Sequence, residues 1–108
     1  MIKKLGTDQN YRYYNFLHRG QIIGKFQIQP PENGLVSIWS VELDEKFRGK
    51  GLGKKLVKEA LDVCRKMKAT RVGLTCMTEN KRARHIYELF GFTITKPDSY
   101  NQWMELVL

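Results

Sequence analysis

The residues in this chain best suited to chemistry are three alternating glycines, Gly49, Gly51 and Gly53, set among Arg48, Lys50, Lys54 and Lys55. Glycine lets the main chain approach a ligand with no Cβ in the way, and the free N–H groups at a helix start carry partial positive charge. With Arg and Lys added, such a turn suits a phosphate or pyrophosphate. Two nucleotide-binding spacings are excluded. A Walker loop needs glycine where Arg48 stands and Ser or Thr where Lys55 stands, and the dinucleotide pattern Gly-x-Gly-x-x-Gly needs glycine at Lys54 or Leu56. Alone, the turn marks an anion-friendly helix start, and a flexible loop before a helix would look similar.

A second group runs from Asn80 to Phe92. Ala83, Ile86, Tyr87 and Phe90 recur at i, i+3, i+4 and i+7, on one helical face, with Asn80 at the N-cap position. A plain capped helix shares this pattern, and an aromatic at helical spacing packs in a core more often than it catalyses. Cys64 and Cys76 fall in apolar-periodic segments and are expected to be buried thiols; His18 and His85 are expected at the surface. No metal site and no activated nucleophile is expected, because no ligand or nucleophile spacing is present.

The elements that must position these residues follow from periodicity. Tyr11 to His18 and Gln21 to Gln29 read as a hairpin about Arg19-Gly20, and Pro30 to Gly34 as a second turn. In the next strand, Leu35 to Leu43, alternation sets Val36, Ile38 and Ser40 against Ser37, Trp39 and Val41. The period then changes to 3.6: Leu52, Leu56, Ala60, Leu61, Cys64 and Met67 form one stripe of a helix of roughly four to five turns. Ala69 to Met77 is a strand, Asn80 to Phe90 a helix closed by Gly91, and Phe92 to Thr95 and Trp103 to Leu108 are final strands. The expected fold is α/β, a mixed and largely antiparallel sheet in the order βββ-α-β-α-β-β, forming one domain over residues 1–108.

Composition agrees with that class: 42% hydrophobic and 28% charged residues describe a globular chain rather than a disordered one. No stretch approaches the roughly 18 to 20 apolar residues that cross a bilayer, and Met1 to Gly6 has no apolar signal core, so a cytoplasmic location and no membrane partner are expected. The net charge of +8 favours polyanionic partners such as cofactor phosphates, an acidic protein surface or nucleic acid. No base-reading helix or aromatic RNA-binding strand supports the last of these.

Taken together, Arg48-x-x-Gly51-x-Gly53 and Asn80-x-x-Ala83-x-x-x-Tyr87-x-x-x-Gly91-Phe92, with strand and helix in the right order and a closing Trp103-Met104-Glu105-Leu106 strand, resemble the GNAT superfamily of acyl-CoA-dependent N-acetyltransferases. The resemblance extends from Leu35 to the C-terminus. It implies acetyl-CoA as cosubstrate and transfer of its acetyl group to a primary amine by direct attack. The amine would belong to a protein lysine or N-terminus, or to a small molecule. It implies that Val41 to Leu43 hold pantetheine and polarise the thioester carbonyl, and that the backbone of Arg48, Gly49, Lys50, Gly51, Leu52, Gly53 and Lys54 cradles the pyrophosphate. Asn80, with Ala83 on the same helix, would contact the cofactor arm, and Tyr87 would act as general acid to the leaving thiolate, a task suited to a phenol of reference pKa near ~10.

The chain departs from that pattern in two places. Family members with a side-chain base often place Glu or His at positions corresponding to Ser37 and Trp39, neither of which can serve. Glu42 is the nearest carboxylate, but strict alternation puts it on the opposite face unless a bulge intervenes; a water relay or an amine arriving neutral fits equally. Larger members also begin with a strand and helices that wall the acceptor groove, whereas this chain is expected to enter at the hairpin, leaving an open groove that a homodimer or an extended protein substrate could complete. The aromatic cluster Tyr11, Tyr13, Tyr14 and Phe16 fits interface, acceptor wall or core, with core expected for at least half of it. The alternative to an enzyme is a CoA-binding module of the same fold with little transfer activity, acting on protein or nucleic acid through its basic surface.

Overall fold

The computed structural model describes all residues, Met1–Leu108. The first two hairpins are set by two-residue turns, Arg19-Gly20 and Asn33-Gly34, in which both residues of each pair have positive φ. That backbone twist matches the twist of the flanking strands. The turns join β2 (Arg12–His18), β3 (Gln21–Glu32) and β4 (Leu35–Leu43). The second turn is tighter than the Pro30 to Gly34 segment expected, because β3 carries Pro30 and Pro31 through a register shift between Gln29 and Glu32 instead of ending before them.

The chain then passes through one 3-10 turn, Glu45–Phe47, into α1 (Leu52–Lys66). It continues through β5 (Arg71–Met77), α2 (Lys81–Leu89), β6 (Thr93–Lys96) and β7 (Asn101–Val107). A further strand, β1 (Ile2–Thr7), pairs antiparallel with β2 and forms the sheet edge. This corrects the expectation that the chain enters at the hairpin. β1 is mostly exposed, carries Lys3 and Lys4, and bulges between Lys4 and Gly6, so it shows no clean alternation. No helix lies between β1 and β2.

The sheet has seven strands in the order β1-β2-β3-β4-β5-β7-β6, antiparallel except for the β4–β5 pair. Its α/β class and downstream element order are those expected. Cross-strand partners Tyr14 and Phe26, Ile28 and Ile38, Val36 and Val72, and Leu74 and Met104 share one face. That face packs against the apolar stripe of α1 and against Tyr87 of α2 in a single core. Both helices therefore cover the same side of the sheet, and no helix covers the other.

Candidate functional site

The site begins where two strands part. β4 and β5 are paired only from Leu35 with Arg71 to Ile38 with Leu74. Beyond that point β4 stays with β3 as far as Leu43, and β5 stays with β7 as far as Met77, leaving a gap through the sheet edged by unpaired main chain. A bulge lies on β4 beside the gap: Lys25 pairs with Glu42 and Gln27 with Trp39, so Ser40 and Val41 both stand opposite Phe26. Ser40 has φ of 54°, the left-handed region.

The bulge corrects the strict alternation expected for this strand. Val41 and Leu43 now pack toward the helices, and Glu42 turns to the same uncovered face as Trp39. There its carboxylate lies 3.6 Å from the Lys25 ammonium, and its side chain is 63% exposed.

On the helix side the gap opens into a cleft of about 660 Å³ between the start of α1 and α2. Gly49 and Gly51 hold φ of 77° and 79°, and Gly51 is the N-cap of α1 with no side chain capping the helix. The amides from Gly49 to Lys54 donate to no acceptor in the protein. A Cβ on Gly51 would project into open space, whereas one on Gly53 would lie 3.1 Å from Cδ1 of Ile86. The first glycine therefore bares the main chain, and the last lets α1 and α2 approach. The Nε of Arg48 donates to the carbonyl of Leu43 at 3.0 Å, tying the glycine turn to the end of β4.

Most of the expected residues meet at this cleft. Val41, Leu43 and Glu42 border it from the sheet; Arg48, Gly49, Gly51, Gly53 and Lys54 from the turn; Asn80, Ala83 and Tyr87 from α2. The Glu42 side chain turns to the other face, and two more side chains do not enter the cleft. Leu52 is buried in the core, and Lys50 folds its ammonium over the ring of Phe47, 5.9 Å from the centroid. Both keep their place in the turn through their backbone amides.

Asn80 caps α2, its Oδ1 accepting from the amide of Ala83 at 3.1 Å, which leaves its side-chain NH₂ as a donor. Tyr87 is buried, with its ring edge-on to Phe92 at 5.8 Å. Burial, with a smaller contribution from the Cys76 thiol, pushes its phenol up to about 12. Cys76 and Cys64 are buried and free, as expected. Burial raises both thiols, Cys64 to about 12, so neither is an activated nucleophile.

Arg82, His85 and Ile86 also border the cleft, and the sequence reading gave none of them a site role, setting Ile86 on the apolar face of the helix and His85 at the surface. His85 is exposed, as expected, yet faces this site rather than an inert surface. The helical spacing that joins Ala83 to Tyr87 also places Arg82 and Ile86 four residues apart on one flank, a signal that exposed charge obscured. One guanidinium nitrogen of Arg82 sits 3.6 Å from where a Gly49 Cβ would be, so α2 leans a cation over the glycine turn.

The uncovered face has its own order. Trp39 and Trp103 meet with ring centroids 6.0 Å apart. The indole N–H of Trp39 donates to Gln29 at 3.0 Å and that of Trp103 to Glu105 at 2.8 Å. Glu105 is held in turn by Arg71 at 3.0 Å and by the Thr95 hydroxyl at 3.3 Å. The N–H of Trp103 and the neighbouring guanidinium hold its carboxyl below the usual range. The cluster Tyr11, Tyr13, Tyr14 and Phe16 divides: Tyr14 and Phe16 are core, and Tyr11 and Tyr13 are half-buried outside it.

A profile of the Acetyltransferase (GNAT) family matches residues 2–92, so the likeness includes the N-terminal strands as well as the two motifs. The mycothiol acetyltransferase of Beutenbergia cavernae is 36% identical over 74 residues, covering 68% of this chain and 25% of that protein. The spermine/spermidine N(1)-acetyltransferase of Bacillus subtilis is 32% identical over 71 residues, covering 65% of this chain and 47% of that one. The chain thus spans less than half of either relative. A GNAT family acetyltransferase from Elizabethkingia anophelis, solved with acetyl-CoA bound, superposes with a TM-score of 0.87 at 15% identity, covering 100% of this chain and 97% of that one. With most of its length matched by the family profile, the chain belongs to the GNAT family of acetyltransferases.

Proposed function

We propose that this protein transfers the acetyl group of acetyl-CoA to a primary amine by direct attack, with no covalent enzyme intermediate. The observation that carries this reading is the shared cleft, lined both by the glycine turn with its unpartnered amides from Gly49 to Lys54 and by the buried Tyr87. The amides and Lys54 suit the pyrophosphate, and the open space at Gly51 leaves room for it. Asn80, through its free NH₂, and the main chain of Val41 to Leu43 on the side that β5 leaves suit the pantetheine arm and the thioester carbonyl.

In the reaction the amine nitrogen forms a bond to the carbonyl carbon as the C–S bond breaks. Tyr87 hands its proton to the leaving thiolate and recovers one from solvent. The proton lost by the amine passes to Glu42 or to water; the bulge supports Glu42 by turning it to the face the amine can reach, and its pairing with Lys25 favours water. The two buried, unpaired thiols support a reducing, cytoplasmic setting.

Calorimetry with acetyl-CoA tests the reading. Binding is expected for the native chain, and loss of at least about tenfold in affinity for Gly51→Glu, which sets a carboxylate and a strained φ in the anion cradle. A chain that does not bind acetyl-CoA overturns the proposal. A chain that binds it but releases no thiol with any amine is a CoA-binding module.

A further inference from the structure

Resting on the acetyl-transfer reading above, we propose that the acceptor is a monoamine with an aromatic body, an arylalkylamine, seated on the pair Trp39 and Trp103. The helix side of the gap is the cleft assigned to acetyl-CoA, so the amine must arrive from the uncovered face. On that face Trp39 is the first residue of β4 beyond the last β5 pairing, and Trp103 pairs with Thr75, the first such residue of β5. The two indoles therefore form the floor at the opening where the attacking nitrogen has to stand.

Their chemistry narrows what they hold. Both indole N–H groups are already donated, to Gln29 and Glu105. The Trp103 ring lies so closely over Gly73 that any Cβ there would overlap it. The rings are locked, their polar handles are used, and what they offer an incoming molecule is half-buried π surface. Such a surface takes an aromatic ring by stacking and tolerates one ammonium by cation–π attraction.

The charges beside them argue against a polyamine. Glu105 already holds Arg71 at 3.0 Å and Glu42 has the Lys25 ammonium 3.6 Å away, so a second ammonium would have to compete with a resident cation at either carboxylate. The net charge of +8 repels it further. An amino sugar would need several polar partners, and Gln29 and Glu105, the polar groups beside the rings, are committed to the indoles.

The chain has two tryptophans, and both are in this pair, so its fluorescence reads the patch directly. Phenethylamine should shift or quench that fluorescence, and spermidine and glucosamine should not. In a thiol-release assay with acetyl-CoA, kcat/KM for phenethylamine should exceed that for spermidine, glucosamine or a lysine peptide by about tenfold or more. Trp39→Ala should raise KM for phenethylamine about tenfold while KM for acetyl-CoA stays within about twofold, and Trp39→Phe should recover most of the loss. If Trp39→Ala fails to fold, Trp39→Leu, which keeps bulk without the π face, takes its place. Faster transfer to spermidine, glucosamine or the peptide overturns this inference and leaves the acetyl-transfer reading intact, as does an unchanged phenethylamine KM in the variants. Failure to bind acetyl-CoA, or transfer to no amine, removes both.

Discussion

Tyr87 shows how burial sets a residue up for one task. Its ring lies in the hydrophobic core with Phe92 and Cys76 nearby, and burial disfavours the phenolate, so the group stays protonated up to about 12. A phenol in that state can give a proton to a departing thiolate at any pH the fold tolerates, and it adds no titration of its own near neutrality. Tyr87→Phe should therefore lower the transfer rate by about 100-fold with acetyl-CoA affinity unchanged. The ratio of the two rates should stay constant from about pH 6 to pH 10, because the phenol does not ionise in that range. An equal rate in the variant would remove Tyr87 from its role, and a ratio that titrates near neutrality would point to another acid. Since Phe keeps the packing on Phe92, the melting temperature is a built-in control for folding. Glu42→Gln in the same assay separates the two routes for the amine proton, a slower rate assigning it to Glu42 and an equal one to water.

At the scale of the element, the decisive feature is the bulge in β4, and it explains what could be seen in advance. The glycine turn and the Asn80 to Phe92 helix were legible because each is a local pattern whose physics acts within a few residues. The bulge was not. Ser40 is no glycine, and the strand alternates well enough on either side to hide one extra residue. β1 escaped for the opposite reason, an edge strand with too few buried side chains to show a period. Arg82 and His85 look like solvated polar side chains until α1 and α2 are brought together through Gly53, a contact that sequence spacing does not contain. The left-handed φ of 54° at Ser40 costs a non-glycine residue about 1–2 kcal/mol, part of which glycine would return through its freer unfolded state. Ser40→Gly is thus expected to change stability by between 0 and about +1 kcal/mol in denaturant melts and to keep activity. Ser40→Val, β-branched in a left-handed position, should lose about 2 kcal/mol or slip the strand by one residue, turning Glu42 toward the helices and Val41 away from the cleft. A fully active, fully stable Ser40→Val protein would mean that the bulge does not set which side chains face the gap.

For the molecule as a whole, the proposed sites lie on opposite faces of the sheet and should respond oppositely to salt. The excess of positive charge is not spread evenly. Neither helix has an acidic residue in its first turn, so both positive helix ends are left uncompensated, and Arg48, Lys54 and Arg82 line the same cleft. Acidic residues instead pair with bases away from it, as in the Lys58–Asp62–Arg65 group toward the far end of α1. The cleft side should therefore attract a polyanion through a field that salt screens, whereas the two tryptophans act on the other face through apolar contact that salt does not weaken. Raising salt from about 0.1 M to about 1 M shortens the Debye length from about 10 Å to about 3 Å. Over that range the Kd for acetyl-CoA should rise by about tenfold or more, and Arg82→Gln and Lys54→Gln should each flatten the slope while weakening binding at low salt. The KM for an aromatic amine should stay level or fall. A salt-independent Kd for acetyl-CoA would show that the basic rim does not reach its phosphates, and an amine KM that rises in parallel would place the acceptor on the charged side of the sheet instead of on Trp39 and Trp103.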